Sequence, residues 1–303
     1  MRAFITGVSG FVGKWLSAHL AGCGDEVFSI DESVDVRNEG ALREVLTQAA
    51  PEVVYHLAAL THVGRSFEDP ITYLEVNTLG TYKLLEAARS LADPPKVILI
   101  SSAEVYGLTC QKKGGEPITE QDPLLPATPY AFSKVAAEYG AMQQMYAYGL
   151  PVMLLRPFNH IGPGQGEAFV VSALAKRIAA AELSGEKSIP VGNLSAMRDF
   201  TDVRDVVSAY RMLAVAGKAG EAYNICSGKA VAISEIAQDL IRIADSDIEL
   251  RQDESLLRPV DLPVLCGSSA KLREATSWEP VIGRDRTLSD VLAHWRERLS
   301  QGL

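Results

Sequence analysis

Short apolar, β-branched runs recur along this chain, separated by longer stretches whose apolar residues return every three or four positions. The runs Arg2–Thr6, Glu26–Ile30, Val53–Leu57, Lys96–Ser101 and Pro151–Arg156 read as buried strands, with a sixth, Ala222–Cys226, after a long interval. Between them, Phe11–Ala21, Glu39–Ala49, Ile71–Leu91 and Pro129–Tyr148 read as helices. Apolar strands alternating with helices predict an α/β fold built on a doubly wound parallel sheet. Ligands of such sheets bind outside the carboxyl ends of the strands, where Gly7, Asp31, Ala58, Ser101, Ser102, Arg156 and Asn159 fall.

After Pro157 the rhythm changes. A Gly/Pro-rich loop, Ile161–Gly166, leads into a helix over Ala168–Leu183, and from Ile233 onward come short helices, several prolines and a strand near Ile248–Leu250. This predicts a larger lobe, residues 1–157 plus about 199–227, and a smaller C-terminal substrate-binding lobe, about 158–198 and 228–303.

The turn between the first strand and first helix is Thr6-Gly7-Val8-Ser9-Gly10-Phe11-Val12-Gly13. Gly7 permits a tight turn, Gly10 lets the main chain approach a pyrophosphate, and Gly13 lets the helix pack closely. The helix N-terminus then offers free N–H groups and the positive end of its dipole to phosphates. This is the Rossmann arrangement, although the spacing is G-x-x-G-x-x-G rather than the commoner G-x-G-x-x-G. The second strand ends in Asp31, placed to accept hydrogen bonds from the adenosine ribose. A carboxylate there repels a 2′-phosphate, so NAD(H) is favoured over NADP(H). Asp35 and Val36 follow closely enough to reach the adenine.

A second motif lies on the Pro129–Tyr148 helix. Tyr130 and Lys134 are one turn apart on one face, and no other of the ten tyrosines has a lysine four residues on. An ammonium beside a phenol favours the phenolate and lowers the tyrosine pKa; Lys134 can also reach the nicotinamide ribose. Ser101-Ser102 ends the fourth strand, where a hydroxyl is needed to bond the substrate oxygen. Together these residues predict a hydride-transfer enzyme in which Tyr130 handles the proton, Lys134 tunes it and Ser102 orients the carbonyl.

Composition narrows the partners. The 303 residues are 47% hydrophobic, enough for a full core, and the net charge of −9 disfavours nucleic acid and anionic membrane. An anionic ligand must then be held by locally placed arginines. The four cysteines form no C-x-x-C pair and read as reduced core residues; no apolar run reaches membrane-spanning length, and the first strand begins at once. These points predict a cytoplasmic enzyme. Of the histidines, His19 falls in the first helix, His294 in the last, His62 and His160 in loops. His56 ends a strand as a packing or cofactor-wall residue, and no grouping has metal-site spacing.

As a set these residues resemble the extended short-chain dehydrogenase/reductase family, the nucleotide-sugar epimerase and dehydratase group, essentially end to end. The glycine turn, Asp31, Asp35-Val36, His56-Leu57-Ala58-Ala59, Asn77, Ser101-Ser102, Val105-Tyr106-Gly107, Tyr130-x-x-Ser133-Lys134 and Arg156-Pro157-x-Asn159 fall in family order. So do Arg198-Asp199-Phe200, Asp202-Val203, Arg258-Pro259-x-Asp261 and Trp278-x-Pro280. The resemblance implies that Phe11, Val12, Leu57, Ala59, Asn77, Ser101 and Pro157 join the glycines, Ala58, Tyr130 and Lys134 around the cofactor. The stretch Arg156–Gln165 is most similar to the branch that reduces GDP-4-keto-6-deoxy-D-mannose, as are Phe169-Val170-Val171 and Val191-Gly192-Asn193-Leu194. That similarity implies a GDP-linked sugar held by Ser102, Glu104, Asn159, Val170, Arg198 and Arg258; arginine suits phosphate oxygens. A 4,6-dehydratase needs further acid/base groups directly after the hydroxyl residue. Here Ala103 cannot move a proton but Glu104 can, so reductase leads while dehydratase and 4-epimerase stay open. The family also implies a homodimer in which the Ile71–Leu91 and Pro129–Tyr148 helices of each chain form a four-helix bundle.

Overall fold

The computed structural model describes residues 1–30, 34–256 and 262–302. In chain order its first half runs β1 (Arg2–Thr6), α1 (Phe11–Gly22), β2 (Glu26–Ser29), α2 (Glu39–Ala49), β3 (Val53–His56), α3 (Val63–Glu68), α4 (Pro70–Tyr73), a π-type segment Leu74–Gly80, α5 (Thr81–Arg89) and β4 (Lys96–Ile100). A 3₁₀ turn, Ala103–Tyr106, then precedes α6 (Leu108–Lys112), α7 (Pro129–Tyr148), β5 (Val152–Pro157) and β6 (Asn159–Ile161). The remainder is α8 (Val170–Ser184), β7 (Ser188–Val191), β8 (Met197–Asp202), α9 (Val203–Ala216), β9 (Ala222–Ile225), β10 (Ala230–Ala232), α10 (Ile233–Ala244), β11 (Glu249–Gln252), a 3₁₀ turn Glu254–Leu256, β12 (Val264–Leu265), α11 (Ala270–Thr276) and α12 (Arg284–Ser300).

The six strands expected from the apolar runs form one parallel sheet in the order β2-β1-β3-β4-β5-β9. The chain leaves β1 for β2 on one side and returns to β3 on the other. The crevice above that reversal is where open α/β sheets bind ligands. Apolar side chains cover both faces. One cluster joins α1 and α9 to Ala3, Ile5, Ile98 and Leu155, and the other joins α2, α5 and α7 to Phe4, Val54, Val97 and Leu99. A second, small sheet orders β10-β8-β12, with β6 pairing β8, and a two-stranded one pairs β11 with β7. Around these, α8, α10 and α12 share a separate apolar cluster.

Three expectations change. The Ile71–Leu91 helix is interrupted: α4, the π-type segment and α5 follow one another, and the extra residue in that turn re-aims Asn77. Strand β8 and helix α9 were not anticipated, because Arg198, Asp199, Asp202 and Asp205 break up the apolar pattern. Those charges are buried and paired: Asp202 caps α9 and binds Arg204, and Asp205 accepts from the backbone of Val281 and Ile282. The C-terminal helices are also not all short, since α12 spans 17 residues.

Candidate active site

The glycine turn is built as the sequence requires. Gly7 takes φ +71°, and a β-carbon there would sit 2.9 Å from the Ala58 nitrogen, so the turn packs directly on the loop after β3. At Gly13 a β-carbon would meet the Gly7 carbonyl at 2.2 Å, which seats α1 against the turn itself. No side chain caps α1 and its first turn holds no acid, so its leading N–H groups point at the crevice with the dipole behind them. This is a cradle for a pyrophosphate, and the residues fit a dinucleotide.

Beneath the turn runs a buried relay. The Ala58 N–H donates to Thr6 Oγ1, which lies 2.8 Å from His56 Nδ1, and His56 Nε2 lies 2.9 Å from Thr81 Oγ1. Thr81 donates to the Asn77 carbonyl, so the relay is satisfied only with the proton on Nε2. Burial holds the His56 pKa down to about 3, so it stays neutral. His56 is therefore a packing residue that ties the cradle to the π-type segment.

The Tyr130–Lys134 motif sits on α7, which Thr128 caps and Pro129 opens. Asn77 donates to Ser133 Oγ, Ser133 donates to the Tyr130 carbonyl, and Thr78 donates to the Ser133 carbonyl. These bonds fix the first turn of α7. They also correct the expectation for Asn77. Its amide is spent on Ser133 and on Leu60, whose N–H it accepts at 2.8 Å and whose carbonyl it bonds at 2.9 Å, so it positions the site and does not line it.

Ser102 caps the 3₁₀ turn by accepting the Glu104 N–H, which leaves its own proton for another acceptor. It faces the Tyr130 phenol and draws that pKa down, yet burial dominates and pushes Tyr130 up to about 12. Lys134 does not lower it, contrary to expectation. The lysine is itself buried, donates to the Ile100 carbonyl at 2.7 Å, and is pushed down to about 8 by burial, with Glu138 opposing. Tyr130 is a neutral phenol at neutral pH, as an unshifted tyrosine also is, and burial keeps it further from ionising.

A cavity of about 1070 Å³ gathers most of the expected residues: Gly7, Gly10, Phe11, Val12 and Gly13 at one end, Leu57, Ala58, Ala59, Ser101 and Pro157 along it, and Ser102, Glu104, Tyr130 and Lys134 beside them. Asn159, Val170 and Arg198 line its far side. Arg198 is buried and donates to the carbonyls of Met197 and Leu262, which aims it along the wall. Asp35 and Val36 do not line it. Asp35 is paired with Arg37 at 2.6 Å, and Val36 is buried under Gly80. Arg156 is likewise withdrawn: Glu138 takes its guanidinium at 3.0 and 2.7 Å and Tyr106 shares it. Asp31 and Arg258 lie outside the described residues.

Other lining residues were missed. Arg177 follows Val170 by seven positions on α8, so both share a face with Ala173 and Leu174; that spacing was the available signal. Its guanidinium bonds the Pro190 carbonyl at 2.7 Å. His160 is on β6 rather than in a loop, and its ring stacks on Phe11 at the cavity wall. No group of three or more potential metal-binding side chains occurs among the described residues.

Comparison with known proteins agrees with this geometry. The family model described as GDP-mannose 4,6 dehydratase matches residues 32–291. The chain is 37% identical to GDP-6-deoxy-D-mannose reductase of Pseudomonas aeruginosa, over 99% of both chains. It is 33% identical to GDP-6-deoxy-D-talose 4-dehydrogenase of Aggregatibacter actinomycetemcomitans, over 97% of this chain and 95% of that one. Among solved structures, that of RMD from Pseudomonas aeruginosa complexed with NADPH superposes with a TM-score of 0.89 at 38% identity, covering 98% of this chain and 99% of the other. A chain that carries this cradle and this tyrosine–lysine helix, and that matches these relatives end to end, belongs to the GDP-mannose 4,6-dehydratase family of extended short-chain dehydrogenases/reductases, nicotinamide-dependent enzymes of nucleotide sugars.

Proposed function

We propose that this enzyme reduces the C4 keto group of a GDP-4-keto-6-deoxy-hexose to the alcohol. The nicotinamide cofactor supplies the hydride. Ser102 donates a hydrogen bond to the carbonyl oxygen, Tyr130 delivers its proton to the oxygen as charge develops, and Lys134 holds the ribose. One observation carries the reading: Ser102, Tyr130 and Lys134 line the same cavity as the glycine turn, so a hydroxyl, a phenol and an ammonium stand together where a dinucleotide would lie. A sugar alkoxide is more basic than a phenolate, so the proton moves downhill. Arg198 and Arg177 on the far wall suit the diphosphate, with Asn159 and Val170 beside them; Arg258 is proposed there from sequence alone.

The dehydratase reading retains one support, Glu104, which lines the cavity. Against it, Ala103 is buried and inert where the family's dehydratases carry a proton-transfer group. The deciding experiment supplies the 4-keto-6-deoxy GDP-sugar with dihydronicotinamide cofactor and, separately, GDP-mannose alone. Cofactor oxidation in the first supports the reductase; water loss in the second overturns it.

From sequence alone, Asp31 supports a preference for NAD(H) over NADP(H), since a carboxylate about 20 residues after the glycine turn repels a 2′-phosphate. A division into a cofactor lobe (1–157 plus about 199–227) and a substrate lobe (about 158–198 and 228–303) is supported by the six-stranded sheet, which holds β1–β5 and β9, although β8 runs across the boundary near 199 and pairs within the small sheet. A homodimer is supported by an exposed stripe on α7: Phe132, Tyr139 and Tyr146 are 52%, 67% and 78% exposed and fall seven residues apart, beside exposed Ile71 and Leu79. Pairing that stripe with its copy builds the four-helix bundle. The four cysteines are all free and three are buried, which supports a reducing, cytoplasmic setting. No helix among the described residues is long and apolar enough to cross a membrane.

A further inference from the structure

Around the cavity, three side-chain oxygens are buried without a partner: Ser101 Oγ, Asn159 Oδ1 and Tyr210 OH. The first two belong to segments already assigned to cofactor and sugar. Tyr210 belongs to neither. It lies on α9 with no exposed surface, its ring packed in the apolar cluster with Ile5, Ile98 and Leu155. A buried tyrosine hydroxyl normally finds a partner, and one without forfeits the hydrogen bonds it made in water. Phenylalanine would fill the same space without that loss. Tyr55 in the same cluster also has an unpartnered hydroxyl, and what sets Tyr210 apart is that it lines the cavity, where a ligand can supply the partner.

Its position says which. Helix α7 packs on one face of the six-stranded sheet with Val97 and Leu99, and α9 on the other with Ile98. Tyr130 and Tyr210 thus approach the end of β4 from opposite sides, close enough for the charge state of one to act on the other. Both line the cavity, as do Ile100 and Ser101 at the end of β4. The polar groups of a dinucleotide divide between its adenosine, its phosphates and its nicotinamide nucleoside, and only the last reaches the reacting carbonyl beside Tyr130. The phosphates meet the N-terminus of α1, and the nicotinamide ribose meets Lys134. The carboxamide remains, at the end where Tyr210 stands.

The geometry points to Tyr210 as a cofactor-binding residue whose hydroxyl, just behind the cavity wall in the empty protein, comes to hydrogen-bond the nicotinamide carboxamide as the cofactor seats and fixes which face of the ring is turned to the substrate. This rests on the dinucleotide reading above. The test is direct binding of NADH, NADPH and ADP-ribose, which lacks the nicotinamide, to wild type and Tyr210→Phe, with thermal melts of both proteins without ligand. Tyr210→Phe should bind the dinucleotides about tenfold more weakly, as the loss of one buried hydrogen bond implies. ADP-ribose affinity should not change, and the unliganded variant should melt no lower than wild type. Unchanged dinucleotide affinity, an equal loss for ADP-ribose, or a lower melting temperature without ligand would each overturn the assignment. Wild type that binds none of the three would instead sink the dinucleotide reading itself.

Discussion

Replacing Lys134 by methionine should stabilise the cofactor-free protein while disabling it. The lysine is buried at the cavity wall, and burial pushes its pKa from 10.5 down to about 8, with Glu138 opposing. Below pH 8 the folded protein carries a buried ammonium whose cost, at 1.36 kcal/mol per pKa unit, is roughly 3 kcal/mol. Methionine keeps the volume and removes the charge. It also gives up the hydrogen bond to the Ile100 carbonyl, worth about 1 kcal/mol. The net gain is about 2 kcal/mol, which at an unfolding entropy of ~2.1 cal/mol/K per residue raises the melting temperature by about 3 °C. A depressed lysine pKa penalises folding fully below the folded value, and the penalty fades as pH rises from about 8 to the unfolded value of 10.5. The advantage of the variant should therefore be full at pH 7 and gone by pH 10.5, where the lost hydrogen bond leaves it slightly the less stable protein. Melts of both proteins across that range check it, alongside cofactor binding and turnover, both of which the variant should lose. A Lys134→Met protein that melts lower than wild type at pH 7, or keeps its advantage at pH 10.5, would refute the argument that burial sets this lysine.

Tyr130→Phe removes the proton donor and leaves the ring, so turnover should fall about 10²–10³-fold or more while GDP-sugar affinity measured by titration stays near wild type. Glu104→Gln should slow a reductase only modestly, and abolition of turnover with cofactor binding intact would revive the dehydratase. As pH drops below 6.5 the unfolded chain protonates His56 and the folded chain, held near 3, does not. Stability should then fall by about 1.4 kcal/mol per pH unit from this group, and His56→Gln should make denaturant midpoints less pH-dependent. Tyr139→Lys with Tyr146→Lys places charge on the exposed α7 stripe, so light scattering should report a monomer where wild type is a dimer; a wild-type monomer at micromolar concentration rejects the bundle.

Local chemistry made much of this protein readable. A strand, a glycine with positive φ and a helix start are neighbours in the chain, so the cradle at Gly7–Gly13 needs no distant partner to be recognised. Tyr130 and Lys134 share a face because a helix turns every 3.6 residues. The apolar runs set the six parallel strands for the same reason, each pattern being complete within its own segment. Where the outcome depended on which segments meet, sequence was silent. Arg156 looked like a site residue at a strand end until Glu138 took its charge. Asn77 looked like a cofactor contact until the π-type turn directed it to Ser133 and Leu60. The charged run that hid β8 and α9 is internal because Asp199 and Asp205 accept from backbone N–H groups far along the chain and Arg204 pairs with the distant Asp290. The same is true of protonation. A lysine four residues after a tyrosine suggested a lowered phenol pKa, and only the packed structure, by burying both groups, decided that Tyr130 rises and Lys134 falls. Periodicity and turn chemistry are properties of a segment, whereas desolvation and charge pairing belong to whatever the fold brings around it.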